Sequence, residues 1–213
     1  MSAVWCSRLG RGSKEVRAHR REAICQFART AGAGPPLGSV RYDLRMETDD
    51  LKHLERCVEL AYQALEAGDE PFGSVLVDSV GRVCFEDHNR VASGDRTRHP
   101  EFALARWAAA NMSPVERAAS TVYTSGEHCP MCAAAHGWVG LGRIVYASSS
   151  AQLATWLDEL GVPPPPVATL PIKEVVPGAT VEGPVDELAT RLRDLHFRFH
   201  MGNGSAVAPG SNA

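Results

Sequence analysis

Leu51, Leu54, Val58, Leu60, Ala61 and Leu65 recur at helical spacing, with Thr48 or Asp49 as a cap and Gly68 as a stop; together they predict an opening helix. The apolar run Ser74-Val75-Leu76-Val77, a turn at Ser79-Val80-Gly81 and the return Arg82 to Glu86 read as a β-hairpin. Asp87 to Arg98 is polar and irregular, hence a surface loop. It leads into His99 at a helix start, with Pro100 where a missing N–H is tolerated and Ala103, Leu104, Trp107 and Ala108 as the apolar stripe. Ser120 to Thr124 is a predicted strand, Ser125 to His128 a turn, Pro130 to Val139 a helix ending near Gly140, and Arg143 to Ala147 a further strand. Ala151 to Leu160 is a short helix, Pro163 to Pro166 a stiff connector, Ile172 to Val176 a last strand, and Pro184 to about Phe199 a final helix. Strands alternating with helices predict a three-layer α/β/α sandwich, and the hairpin makes its sheet mixed.

The chain of 213 residues is long enough for one well-cored domain. Residues 1–46 read as a basic extension without a folding pattern, 47–201 as the domain, and 202–213 as a flexible tail. The net charge is -3, yet Arg8, Arg11, Lys14, Arg17, Arg20, Arg21, Arg29, Arg41 and Arg45 leave the first segment basic and the remainder acidic. That segment has few aromatics to stack on bases, which argues for a leader rather than a nucleic-acid arm, one left out altogether if translation starts at Met46. No apolar run approaches the roughly twenty residues that span a bilayer, and the stretch after Arg20-Arg21 lacks the hydrophobic core of an export signal. Cys6, Cys25, Cys57 and Cys84 show no framework spacing, so a reducing cytoplasm is expected.

Two segments carry chemistry: His99-Pro100-Glu101, and Cys129-Pro130-Met131-Cys132 further on, each at a predicted helix start. They supply an imidazole, two thiols and one carboxylate. Structural zinc sites close the tetrahedron with four protein ligands, whereas catalytic ones stop at three and leave the last position to water. His99, Cys129 and Cys132 are the expected ligands of one zinc ion per subunit, with Glu101 beside them to move protons. A lone Cys-x-x-Cys is shared with redox pairs and zinc knuckles; His-x-Glu with a later Pro-Cys-x-x-Cys is the signature of zinc deaminases acting on nucleobases.

From about Met46 to Ser150 the chain resembles the cytidine and deoxycytidylate deaminase superfamily, most closely its guanine, cytosine and tRNA-adenosine deaminase branch. Besides the metal motifs, the resemblance rests on Pro71-Phe72-Gly73-Ser74-Val75-Leu76-Val77, Asn89, the string Asp95-x-Thr97-x-His99-x-Glu101, and Val122 to Cys129. It implies hydrolytic deamination with Glu101 as general acid and base, Asn89 bonded to the substrate ring, Phe72 lining the pocket and a homodimer. Two departures stand out. Pro100 replaces the alanine or glycine common in the family and has no N–H to offer a substrate; His128 stands where relatives often have proline and is a candidate substrate contact.

The remaining histidines carry weaker expectations. His88 adjoins Asn89, His136 reads as core, His19 and His53 as surface, and His196 and His200 lie on the final helix, a segment that some relatives bring over the site. Trp107 and Trp138 read as packing or dimer contacts. The expected substrate is a free nucleobase or related aminated heterocycle of guanine, cytosine, isoguanine or aminotriazine type. The alternative is a tRNA adenosine or nucleoside deaminase. Arginine and lysine do not cluster along the sequence near the metal motifs, which argues against a nucleic-acid partner.

Overall fold

The structure, a computed structural model, describes residues 48–202. The N-terminal extension, His19 and the tail beyond Gly202 lie outside them. Helix α1 (Thr48–Glu66) is followed by β1 (Gly73–Val77) and β2 (Val83–His88), a single 3-10 turn at Val91–Ser93 and α2 (Pro100–Asn111). Next come α3 (Pro114–Ala118), β3 (Thr121–Gly126), α4 (Pro130–Val139), β4 (Arg143–Ser148) and α5 (Ser150–Glu159). The order ends with α6 (Ile172–Val175), β5 (Val181–Glu182) and α7 (Asp186–Gly202).

The sheet runs β2-β1-β3-β4-β5. Strand β1 is antiparallel to both β2 and β3, whereas β3, β4 and β5 are mutually parallel along the sheet. Side chains alternate across it. Val75, Val77, Tyr123 and Val145 pack with Leu54, Val58, Trp156 and Leu192 from α1, α5 and α7, while Leu76 and Val122 meet Leu104 and Ala108 from α2 on the opposite face. All five residues of β1 are buried, which explains its unbroken apolar run: both faces of the strand are covered. The expected mixed three-layer sandwich is the observed one.

Two sequence expectations need correction, and one helix goes unread in the sequence. Ile172 to Val176 does not form the last strand; Ile172 to Val175 is a helix turn, and its apolar residues Ile172, Val175 and Val176 have helical spacing, facing Ala133 and Ile144. The last strand is the two-residue β5, held because the Arg143 guanidinium donates to both Asp50 and Glu182, at 2.6–2.8 Å. His53 is buried, its ring 4.8 Å from that of Tyr123. Trp107 stacks on Phe85, the expected packing, whereas Trp138 is 90% exposed on α4, which rules out core packing and leaves the dimer contact as its expectation. Helix α3 was absent from the periodicity reading. Its capping box, Ser113 with Glu116, is the local signal that announces it.

Helix α1 lies directly on Gly73. A Cβ there would stand 2.4 Å from Leu60 Cβ and 2.6 Å from the Cys57 carbonyl oxygen. Gly73→Ala should therefore lower stability by about 1–3 kcal/mol through overpacking, read as a drop in the thermal midpoint. An unchanged midpoint would mean that α1 can move off β1 without cost.

Candidate metal centre and active site

Helices α2 and α4 pack side by side on one face of the sheet, and each begins at a residue of the metal motif. His99 caps α2, with Pro100 as its first residue and Glu101 in its first turn. Cys129 caps α4, and Cys132 lies one turn in. The turn before Cys129 is tied down by Glu127, whose carboxylate accepts from the Ser150 and Ile172 N–H groups at 2.9 and 3.0 Å. Two helix N-termini thus converge, an arrangement that favours thiolate over thiol.

His99 Nδ1 lies 3.6 Å from Cys129 Sγ and 3.7 Å from Cys132 Sγ. A tetrahedral ion bound at about 2.3 Å to sulfur and about 2.0–2.1 Å to nitrogen sets those atoms ~3.6 Å apart. The donor set therefore fits zinc in both chemistry and edge length. Among the described residues, the cluster of metal-capable side chains comprises His99, Cys129 and Cys132, three donors where a four-coordinate zinc ion would take one more ligand. The sulfurs share a proton unequally. Cys129 is pulled down to about 4, chiefly because the Cys132 thiol donates to it, with help from His99. Cys132, buried and acting as that donor, is pushed well up. A thiolate-seeking cation resolves this competition by replacing the shared proton.

Glu101 is buried beside this set and outside it. Its Oε1 lies 2.9 Å from Thr124 Oγ1 and 3.1 Å from Ser74 Oγ, cross-strand partners on β3 and β1. Its Oε2 stands 3.6 Å from Cys132 Sγ, on the side of the ligands. Burial pushes the carboxyl up, and the neighbouring His99 works against that shift. Ser74 and Thr124 lie within the matched strings, yet sequence reasoning gave them no role. For Ser74 the available signal was a hydroxyl residue in a strand otherwise apolar on both faces; Thr124, in a strand with several hydroxyl residues, carried none.

Asn89 is buried next to the end of β2. Its Nδ2 donates to the Glu70 carbonyl at 3.2 Å and its N–H to the Phe72 carbonyl at 3.0 Å. The first bond fixes the amide orientation and leaves Oδ1 buried without a partner among the described residues. Phe72 lies against Gly126, where a Cβ would meet its ring at 2.9 Å, and the buried His196 of α7 meets it edge-on at 5.0 Å. His196 is pushed down to about 3, mainly by burial, and stays neutral. His128 packs on His136 at 5.5 Å between ring centres, both buried. It makes no hydrogen bond to Glu101 or to the ligands, and burial keeps it neutral. His88 accepts a place beside Asn89, with Nδ1 3.0 Å from the Asn89 carbonyl oxygen.

A cavity of about 160 Å³ adjoins His99, walled by Arg90, Arg98 and Arg106 together with Asp87 and Asp95. This corrects the expectation that no arginines cluster near the metal motifs: the loop after β2 folds back on α2 and gathers residues that are spread along the chain. A roomier cleft, about 540 Å³ between α1 and α7, is lined by Val58, Tyr62 and Leu195 and touches none of the metal-capable residues. Chemistry, not volume, marks the site.

The cytidine and deoxycytidylate deaminase zinc-binding region matches residues 47–148. A probable cytosine deaminase from Schizosaccharomyces pombe is 33% identical over 116 residues, 54% of this chain and 70% of that protein. A tRNA-specific adenosine deaminase from Haemophilus influenzae is 34% identical over 107 residues, 50% of this chain and 61%, under two thirds, of its own length. An NE0047 mutant in complex with 8-azaguanine superposes with a TM-score of 0.58 at 22% identity, covering 72% of this chain and 85% of that one, a likeness of fold. With the ligand edges matching a tetrahedral ion and the relative from fission yeast covered over most of its length, the chain belongs to the cytidine and deoxycytidylate deaminase superfamily.

Proposed function

We propose that the protein is a zinc-dependent hydrolytic deaminase whose minimal substrate is an aminated nucleobase-type heterocycle, taken as the free base. The observation that carries this reading is Glu101: it is held through Oε1 by two hydroxyls while Oε2 faces a three-donor set it does not join. Zinc held by His99, Cys129 and Cys132 would supply a Lewis acid that lowers the pKa of water to about 7.

Glu101 then accepts a proton at Oε2 from the attacking water. The water oxygen bonds to the ring carbon carrying the exocyclic amine. Glu101 passes that proton to the ring nitrogen, takes a second from the hydroxyl now on the carbon and gives it to the amine; the carbon–amine bond breaks, the hydroxyl oxygen becomes the oxo group, and ammonia leaves. Asn89 orients the ring, because its buried Oδ1 needs a donor such as a ring N–H. Phe72, fixed between Gly126 and His196, forms an apolar wall. Pro100 offers no N–H at the substrate edge, which favours rings that make little demand there.

Ammonia release by the zinc-loaded protein over cytosine, guanine, adenine, isoguanine, ammeline and the matching nucleosides tests this. Turnover of at least one free base, absent in Glu101→Ala, is expected. Silence across all bases with zinc bound would sink the free-base reading.

A further inference from the structure

We infer that Ser74 and Thr124 are positioning residues that hold the Glu101 carboxylate off the metal, so that the group of His99, Cys129 and Cys132 stays a three-ligand site open to water instead of closing as a four-ligand one. The inference rests on the deaminase reading, and it names what keeps the proton-carrying group from becoming a ligand.

Distance is the first argument. A carboxylate oxygen is an ordinary zinc ligand, bound at about 2.0–2.2 Å, and a tetrahedral ion sets such an oxygen and a thiolate sulfur ~3.6 Å apart. Glu101 Oε2 already stands 3.6 Å from Cys132 Sγ, yet Glu101 is not in the cluster whose donor atoms all lie within 4.8 Å of one another. The carboxylate therefore meets the ligand spacing towards one donor and not towards the whole set. Rotating its side chain would close that gap, and a fourth protein ligand is the mark of structural zinc sites. Something must hold the group back.

Anchoring is the second argument. Oε1, the other oxygen, is taken by the Thr124 hydroxyl at 2.9 Å and the Ser74 hydroxyl at 3.1 Å, and both residues are fully buried. Hydrogen bonds to a charged acceptor are roughly twice as strong as neutral ones, and burial denies Oε1 the water that would otherwise replace them. The two hydroxyls also lie 2.9 Å from each other, and Thr124 Oγ1 lies 3.0 Å from the Gly126 carbonyl oxygen. They stand on directly paired residues of β1 and β3, both interior strands, so the backbone ladder fixes them against a glutamate borne on α2. The remaining side-chain bond to the carboxylate does not last. The Cys132 thiol donates to Oε2, and metal binding requires that proton to leave. The hydroxyls are then the side-chain anchors that persist.

Metal affinity tests this independently of turnover. Zinc dissociation constants of the full chain, read by competition with a chromophoric chelator, would be compared for the parent, Thr124→Val, Ser74→Ala with Thr124→Val, that pair with Glu101→Ala added, and Thr124→Ser. Cobalt(II)-substituted samples titrated with azide report whether a coordination position is open. Valine keeps the branched shape that suits a strand, and circular dichroism checks the fold of each variant.

Removing a hydrogen bond from the groups around a metal ordinarily weakens its binding by about 10–100-fold; here the sign should reverse, with the double variant holding zinc roughly tenfold or more tightly than the parent. Its turnover should fall by about 10²-fold or more, because Glu101 is no longer free to carry protons. Adding Glu101→Ala should return the affinity to near the parental value. Azide should shift the cobalt bands of the parent and leave those of the double variant unchanged. Thr124→Ser keeps the hydroxyl, so it should bind zinc as the parent does and recover most of the turnover lost in Thr124→Val. Thr124→Val alone should move the affinity in the same direction by a smaller factor, and it carries the test if the double variant fails to fold. Zinc bound no more tightly in the folded variant, or an affinity gain that survives Glu101→Ala, overturns the inference. Absence of ammonia release from the parent, with the affinity gain and its dependence on Glu101 intact, would instead overturn the deaminase reading alone.

Discussion

Glu101→Gln should leave the protein folded and zinc-loaded while slowing deamination by about 10²–10⁴-fold, the usual worth of a positioned general acid and base. Glutamine keeps the shape of the side chain, and its carbonyl oxygen can still accept from Thr124 and Ser74. It cannot carry a proton from water to ring. Because burial already disfavours the charged carboxylate, a neutral amide at this position should melt no earlier than the parent. The measurements are kcat from ammonia release, zinc content and a thermal melt on one preparation. A glutamine variant with full zinc and more than a tenth of parental turnover would remove Glu101 from the chemistry.

Cys132→Ala should abolish both stoichiometric zinc and activity. Cys132 is buried and lies 3.7 Å from His99 Nδ1; without it, a two-ligand site remains, and zinc should pass to a mild chelator. Metal removal should also destabilise the parent, since the ion binds only the folded site: with free zinc 1,000-fold above its dissociation constant, chelation costs about 4 kcal/mol. Cys84→Ser is the control, a partly buried thiol outside the metal cluster, and should keep zinc and turnover. If Cys132→Ala retained one zinc per chain and parental turnover, the ligand assignment would fail.

The metal motif was legible because each half is a local object. A residue at a helix cap and another in its first turn have a separation set by the backbone, so His99 with Glu101, and Cys129 with Cys132, could be read from spacing. The helices with strong 3.6-residue periods and the doubly buried β1 were legible for the same reason. Short elements were not. Ile172 to Val176 carries β-branched residues that favour a strand, and packing on Ala133 and Ile144 decides otherwise.

What the sequence alone determined is what covalent spacing and local periodicity control: the order of most elements, the mixed sandwich, and the two halves of the His99, Cys129 and Cys132 group with the carboxylate beside it. Tertiary structure decided everything that depends on strand register and on segments meeting across the fold. Ser74 and Thr124 reach the same Glu101 oxygen because β1 and β3 pair them directly although 50 positions separate them; a one-residue slip would turn both to the opposite face. His53 is buried by Tyr123 from another element, Trp138 stays exposed because none of the described residues covers that side of α4, and Arg90, Arg98 and Arg106 form one cavity only when the loop after β2 closes on α2. Such contacts join residues whose spacing in sequence carries no information about their distance in space.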